Sequence, residues 1–396
     1  MKIRKLLNAM VITVASTVLL LQQGWIQTYA LEKNAEVNEK NILELLDEYD
    51  SDGAYIIRFG IEHGDNVLEW FENGTTIIDD IETAVHEETH GYILQNHRAN
   101  EEEIYVGNEQ SIHVAYTEVF DSQEMTTDIP DELRTFRFDT YVGDPDENMA
   151  SNIDGVYGLL NEFTAYCWDL NNTVCLYDYY KAEANTPQDW LDYINKFNNG
   201  RMAYSEFNFY ILKYLEYAKV NHPDIYEDIV TNKSFTEAYT TIENKYRSLT
   251  ETADQYIEEI IRENNGKKKN GSIFIGSSGI SFDDEDYIKL INETSNPEYQ
   301  EIYQVLSGSS LPTAVTITTT STNSNSSSQI ITTTALSTTY SYSNIISAIG
   351  SGEEEEKSWF TMSNIVLMVL WMAFLSGIIV IVFEVIRGQK RGRKES

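Results

Sequence analysis

Apolar residues recur at helical spacing over two long parts of the chain. One stretch runs from about residue 75 to residue 95, and after Pro130 the helical pattern continues almost to Asn264. A shorter helix is predicted over 42–46, where pairs of apolar residues flank a glutamate. These patterns predict that helices form most of the folded body.

Shorter apolar runs, rich in β-branched and aromatic residues, predict strands. They lie at 54–59, 66–71, 103–106 and 111–120, with a late strand within 272–282. A mixed lobe of strands and helices (31–128) is therefore followed by a mainly helical lobe (129–306). This order predicts an α+β body.

The N-terminal 30 residues have the pattern of a secretory signal peptide. Three basic residues precede an apolar stretch, and the small-residue site Thr28-Tyr29-Ala30 follows it. We expect cleavage near residue 30, and the alternative is an uncleaved N-terminal anchor.

The C-terminal region has the pattern of a single membrane anchor. Residues 365–383 are 19 positions without a charged side chain, which predicts a transmembrane helix over 359–386. The tail 387–396 holds five basic residues, so the positive-inside rule places it in the cytoplasm.

Between body and anchor lies a segment dominated by serine and threonine, 307–358, which includes four consecutive glutamates. Its apolar content is too low to fold alone, so we expect an unstructured stalk. The sequence thus predicts a single-pass cell-membrane protein whose body (31–306) is extracellular.

Charge is distributed unevenly along the 396 residues, which carry a formal charge of -35. The segment 1–30 contributes +3 and the tail 387–396 contributes +4, so the remainder carries -42. Because nucleic-acid binding requires clustered lysine and arginine, no nucleic-acid partner is expected. Two cysteines are too few for a disulfide scaffold or a four-cysteine zinc site.

The predicted helix at 75–95 contains the sequence His86-Glu87-Glu88-Thr89-His90. Histidines at i and i+4 lie one turn apart on the same face, so both imidazoles can reach one zinc ion. Glu87 can then act as the general base on water at the metal. The chain has only six histidines, which makes the match informative. The alternative is a pair of surface histidines on an amphipathic helix.

The class of site depends on a third ligand. The metzincin pattern requires glycine at 93 and histidine at 96, where this chain has Ile93 and Asn96. His97 cannot fold back onto the same ion on a straight helix. Glu162, on a second predicted helix, would complete a site of two histidines and one glutamate. Its alternative role is an exposed or capping carboxylate.

The segments His86–His90 and Asn161–Tyr166 together resemble the gluzincins, the thermolysin-like metallopeptidases. The resemblance implies a zincin-like body, His86, His90 and Glu162 as Zn²⁺ ligands, and Glu87 as base and proton shuttle. The family's aspartate four residues after the third ligand is replaced here by Tyr166. Asp169 is a substitute for it in orienting a histidine.

Two features stay open at the level of sequence. His113, Tyr157, Tyr166 and His222 are all candidates for the transition-state donor. Cys167 and Cys175 are expected to form a disulfide if the chain turns at Asn171-Asn172, whereas a continuous helix would hold the two sulfurs too far apart.

The leading hypothesis is a hydrolase, a membrane-anchored extracellular zinc metallopeptidase acting on a peptide or protein substrate. The alternative is a non-catalytic cell-surface binding protein or adhesin that retains a zincin fold. Glu87 favours the enzyme, since a purely structural zinc site has no need of a base at that position.

Overall fold

The computed structural model of the protein describes residues 36–308, except 73, 144–149 and 283, together with strands at 315–320 and 330–335. The chain divides into two units, Met1–Ser337 and Thr338–Ser396. The predicted signal peptide, transmembrane helix and basic tail lie outside the described residues. Within the described part, no helix combines the length and apolar character needed to span a bilayer.

The described chain is mainly helical, with three small antiparallel sheets, so an α+β body is present in outline. The first helices are α1 (Glu39–Tyr49), α2 (Ser51–His63), α3 (Ile77–Asn96), α4 (Phe138–Tyr141), α5 (Ala150–Ile153) and α6 (Val156–Cys175). The later helices are α7 (Tyr177–Glu183), α8 (Pro187–Asn221), α9 (Pro223–Thr231), α10 (Lys233–Glu263), α11 (Asp284–Thr294) and α12 (Pro297–Ser307).

The strands pair in three separate sheets. They are β1 (Glu101–Gly107) with β2 (Gln110–Ala115), then β3 (Lys267–Lys268), β4 (Ser272–Ile275) and β5 (Ser278–Ser281), and lastly β6 (Val315–Thr320) with β7 (Ile330–Ala335). Short 3₁₀ helices occur at Val67–Trp70, Ser122–Asp128 and Asp131–Leu133.

Two of the predicted strands are wrong. The run 54–59 lies inside α2, and 66–71 is the 3₁₀ helix Val67–Trp70 with its flanks. Asp50 begins α2 as its N-cap, accepting a hydrogen bond of 3.0 Å from the backbone N–H of Gly53. Gly64 ends α2 in the left-handed region, with φ of 94°. The first lobe is therefore helical apart from the β1–β2 hairpin.

The other strand predictions hold in part. The hairpin pairs Glu101 with Ala115 at its open end, so the second strand stops five residues before the predicted end. The stretch 272–282 forms two strands, β4 and β5, which reverse at Gly276 with φ of 60°. A left-handed glycine permits that tight turn.

Two short strands lie within the segment predicted to be a stalk. Strands β6 and β7 pair antiparallel with each other inside 307–358, with Val315 opposite Ala335. They consist almost entirely of threonine, isoleucine and valine, the β-branched residues that favour an extended backbone.

The helix α6 occupies the centre of the body. It packs against α3, α8 and α10, and most of its residues are buried, including Phe163 and Trp168. The predicted helix at 75–95 is confirmed as α3, where Asp79 accepts a hydrogen bond of 2.7 Å from the backbone N–H of Thr76. The packing of α3 against α6 brings together the two segments singled out in the sequence.

Candidate metal centre

His86, His90 and Glu162 meet at the contact between α3 and α6. The two Nε2 atoms are 3.2 Å apart, and Oε2 of Glu162 lies 4.0 Å from Nε2 of His86 and 3.5 Å from Nε2 of His90. A point equidistant from three atoms with these separations lies about 2.1 Å from each, which matches zinc–nitrogen and zinc–oxygen distances of about 2.0–2.2 Å. The three side chains are therefore close enough together to hold one metal ion.

The environment of the Glu162 carboxylate also suits a bound cation. Oε2 of Glu162 is buried and accepts no hydrogen bond from the described part of the chain. A buried carboxylate oxygen without a donor calls for an explanation, and a cation supplies one. Among the described residues, this is the only group of three His, Cys, Asp or Glu whose ligand atoms lie within 4.8 Å of one another.

Asn161 fixes the orientation of His90. Nδ1 of His90 lies 2.6 Å from Oδ1 of Asn161. An amide oxygen only accepts, so Nδ1 carries the proton and Nε2 keeps its lone pair towards the cluster. This role of Asn161 was not predicted, because a carboxylate was expected in it; the signal in the sequence is the asparagine directly before Glu162.

The environments of the two histidines differ. Burial, with smaller contributions from His90 and Arg137, holds the pKa of His86 well below its usual range. Burial also lowers the pKa of His90, but the nearby carboxylate of Glu162 outweighs it and the net pKa is raised. A neutral His86 is the form that ligates a metal.

Glu87 lies beside this cluster and is half-buried. Burial raises the pKa of its carboxyl, the charge of His90 opposes the rise, and Glu162 adds to it. A raised carboxyl pKa brings a general base closer to the pH at which it must both accept and return a proton.

Tyr166 lies against the cluster, and Tyr141 contacts Tyr166. The ring of Tyr166 lies 4.3 Å from that of His86, edge to face, and its hydroxyl is 3.2 Å from the hydroxyl of Tyr141. Burial and then the charge of Glu162 raise the pKa of Tyr141, so its hydroxyl stays protonated and able to donate. The contact of Tyr141 with Tyr166 was not predicted, since Tyr141 lies in a helix of a single turn, which is too short to give a periodic pattern in the sequence.

A buried ion pair packs against the ring of Tyr166. Nη1 of Arg137 is 2.7 Å from Oε2 of Glu206, and both side chains are almost fully buried. The guanidinium lies over the ring of Tyr166 at 4.6 Å. The ring next to His86 is therefore held between an imidazole and a cation.

The other candidate donors lie elsewhere. His222 contacts Glu124 at 3.0 Å, and His113 lies 3.6 Å from Glu103 on the hairpin. The Tyr157 hydroxyl is hydrogen-bonded to Thr117. Of the four candidates, only Tyr166 lies at the cluster.

Two other predictions are corrected here. Asp169 has no hydrogen bond to His86 or His90 among the described contacts, and Nδ1 of His86 is buried without a partner in the described chain.

Cys167 and Cys175 are free thiols on one continuous helix, α6, so the expected disulfide is wrong. Eight residues at 1.5 Å rise separate them by about 12 Å, beyond the reach of a disulfide.

Comparison with known proteins gives no assignment: no protein-family model, curated protein or solved structure matches this chain.

Proposed function

We propose that the protein is a zinc metallopeptidase of the zincin type, with His86, His90 and Glu162 as the metal ligands. The observation that supports it best is the convergence of these three ligand atoms beside the carboxylate of Glu87. Two imidazoles and one carboxylate are the ligand set of catalytic zinc sites that keep a fourth position open. Zinc is favoured over harder cations because two of the three donors are nitrogens.

The chain's own residues account for the proton transfers of peptide hydrolysis. Zinc, when bound, would lower the pKa of water and polarise the scissile carbonyl. Glu87 accepts the proton of the attacking water and later delivers it to the leaving amine. The hydroxyls of Tyr166 and Tyr141 are the proposed donors to the developing oxyanion; the ring of Tyr166 contacts His86, and the two hydroxyls contact each other, which supports this role.

The location of the enzyme follows from the sequence. The apolar stretch at 365–383, the basic tail after it and the signal-like N-terminus support a body outside the cell, anchored by one helix over 359–386. The substrate is then a peptide or protein on the outer side of the membrane.

The decisive experiment is peptide hydrolysis by the zinc-loaded full-length chain, with and without Glu87→Gln. This change removes the base while leaving the three ligands intact, so we expect activity to fall by about 10²-fold or more with zinc content unchanged. Glu62→Gln, at an exposed position of α2, is the matched control and should retain full activity.

Full hydrolysis by Glu87→Gln would contradict the mechanism. A wild-type chain that binds zinc tightly but cleaves no member of a broad peptide library would instead favour the alternative, a cell-surface binding protein that uses the site structurally.

A further inference from the structure

A polar cleft of about 320 Å³ is lined by residues of α3 and α6, the two helices of the candidate metal centre, and of α8. Four of its lining side chains are carboxylates, from Asp79, Glu82, Asp169 and Asp192, and its single basic side chain is Lys196. The remaining lining residues are asparagines. The cleft therefore has an excess of negative charge that one lysine does not balance.

Two carboxylates of the cleft lack partners. Asp169 is only 5% exposed, and its Oδ1 has no hydrogen-bond donor anywhere in the described structure. Oε2 of Glu82 is likewise buried and without a partner among the described residues, although Lys196 pairs with the other oxygen. Burial and then the neighbouring Glu82 raise the pKa of Asp169 well above its usual range. A carboxylate left in this state is stabilised when a cation approaches it.

The other charged groups of the cleft are already engaged. Asp79 accepts a hydrogen bond from the backbone of Thr76, and Asp192 accepts one of 2.7 Å from Gln188. Lys196 also donates to the backbone oxygen of Asp79 at 2.6 Å. Among the carboxylates of the cleft, only Glu82 and Asp169 therefore have a buried oxygen without a hydrogen-bond donor in the described structure.

The cleft suits an organic cation better than a metal ion. Its carboxylates do not form a group of three within ligand distance of one another, unlike the cluster at His86. Lys196 would repel a divalent ion placed between Glu82 and Asp169 about twice as strongly as it repels a monovalent organic cation at the same distance. The volume admits an alkyl chain with an ammonium or guanidinium head, and the side-chain oxygens of Asn195 and Asn199 are further acceptors for its N–H groups.

The position of the cleft connects it to the metal centre. Glu82 precedes His86 by four residues on α3, so it lies about one turn away, about 6 Å along the axis. Asp169 follows Glu162 by seven residues on α6, which is two turns on the same face. A lysine or arginine side chain, about 6–7 Å long, matches the separation of Glu82 and His86 along α3.

We propose that the cleft lined by Glu82 and Asp169 binds the ammonium or guanidinium group of a lysine or arginine side chain of the peptide substrate. The cleft would then select peptides with a basic residue close to the scissile bond. The proposal rests on the proposed function, whose substrate class it narrows.

The test compares arginine with citrulline, its uncharged isostere. Binding of N-acetyl-arginine amide and N-acetyl-citrulline amide to the full-length chain is measured by calorimetry, and hydrolysis is measured for a peptide pair that differs only in this residue. We expect the arginine ligand to bind, and the arginine peptide to be cleaved, about tenfold better or more, because a charge-assisted hydrogen bond is lost with citrulline.

Asp169→Asn and Glu82→Gln are each expected to abolish that preference. They are separate positions, so a folding defect in one leaves the other informative, and thermal unfolding identifies such a defect. Asp178→Asn, which removes one exposed charge from α7, is the control and should keep the preference.

The outcomes separate this proposal from the proposed function. Equal binding of both ligands, or a preference that survives both cleft variants, overturns the cleft assignment. Hydrolysis that ignores the arginine charge also overturns it, even if a free guanidinium compound binds, while the peptidase assignment stands. Cleft-dependent binding of the arginine ligand by a chain that hydrolyses no peptide supports the cation site and removes the peptidase assignment.

Discussion

Nδ1 of His90 donates a hydrogen bond of 2.6 Å to the side-chain oxygen of Asn161, across the contact between α3 and α6. Asn161 directly precedes Glu162, so one helix supplies both a proposed ligand, Glu162, and the group that orients His90, a proposed ligand on the opposite helix. The partner is a neutral amide, which fixes the tautomer of His90 without adding negative charge to a site already containing Glu87 and Glu162.

Removing this hydrogen bond should weaken metal binding without removing a ligand. We expect Asn161→Ala to lower zinc affinity by about 10–100-fold, because the imidazole loses its fixed tautomer and orientation. Asn161→Asp retains an acceptor oxygen and should stay much closer to the wild type. Competition with a chromogenic chelator measures both affinities, and equal affinity of Asn161→Ala and wild type would disprove the role of Asn161.

The burial of Glu102 leads us to expect that the stability of the fold depends on pH. It is buried, and burial raises the pKa of its carboxyl to about 8, a hydrogen bond from Tyr116 opposing the rise. Between pH about 4.5 and about 8 the folded chain therefore holds a proton that the unfolded chain releases, so this residue's contribution to stability falls as pH rises.

Glu102→Gln should remove the contribution of this residue to the change of unfolding free energy with pH. That contribution is at most about 1.4 kcal/mol per pH unit. The free energy of unfolding of the variant minus that of the wild type should therefore increase from pH 5 to pH 8. Urea unfolding at three pH values measures the difference. A difference that is the same at all three values would show that Glu102 does not titrate in this range.

The ion pair of Arg137 and Glu206 should be essential to the fold around Tyr166. Glu206→Ala leaves the buried guanidinium without its partner, and we expect a loss of about 3–5 kcal/mol in unfolding free energy. The control is Asp47→Ala, which removes an exposed ion pair with Arg58 and should cost less than about 1 kcal/mol. Equal losses in the two variants would contradict the structural importance of the buried pair.

The two cysteines should both react as free thiols. Since α6 is continuous from Val156 to Cys175, Cys167 and Cys175 are held apart and cannot be bridged. Alkylation of the denatured chain without reductant should label two thiols per molecule, with no further labelling after reduction. Labelling only after reduction would mean that α6 is broken near Asn171.

Local sequence patterns were sufficient to predict the helix α3 and the spacing of His86 and His90 along it. The helix predicted at 75–95 extends over Ile77–Asn96, because its apolar periodicity and its capping residues agree. The spacing of His86 and His90 is a property of one helix, so sequence defines it fully. The approach of Glu162 was inferred from its helical face, and the structure places it at the same cluster.

Long-range contacts explain the errors. The run 54–59 is apolar and β-branched, and such a run fits a buried helix as well as a strand. The helix is favoured by Asp50, whose carboxylate caps α2 and also accepts hydrogen bonds from Asn171 and Asn172, more than a hundred residues later. The place of Tyr141 beside Tyr166 likewise depends on packing that no local pattern contains.

The central claim is tested most directly by the amount of zinc that the full-length chain retains after dialysis against a weak chelator. His97→Gln is the matched control, since His97 follows α3 and lies outside the cluster. We predict about one zinc per chain for wild type and His97→Gln, and little for Glu162→Ala, because two histidines alone leave the site without its carboxylate. Retention of zinc by Glu162→Ala equal to that of wild type, or a wild-type chain without zinc, would contradict the account.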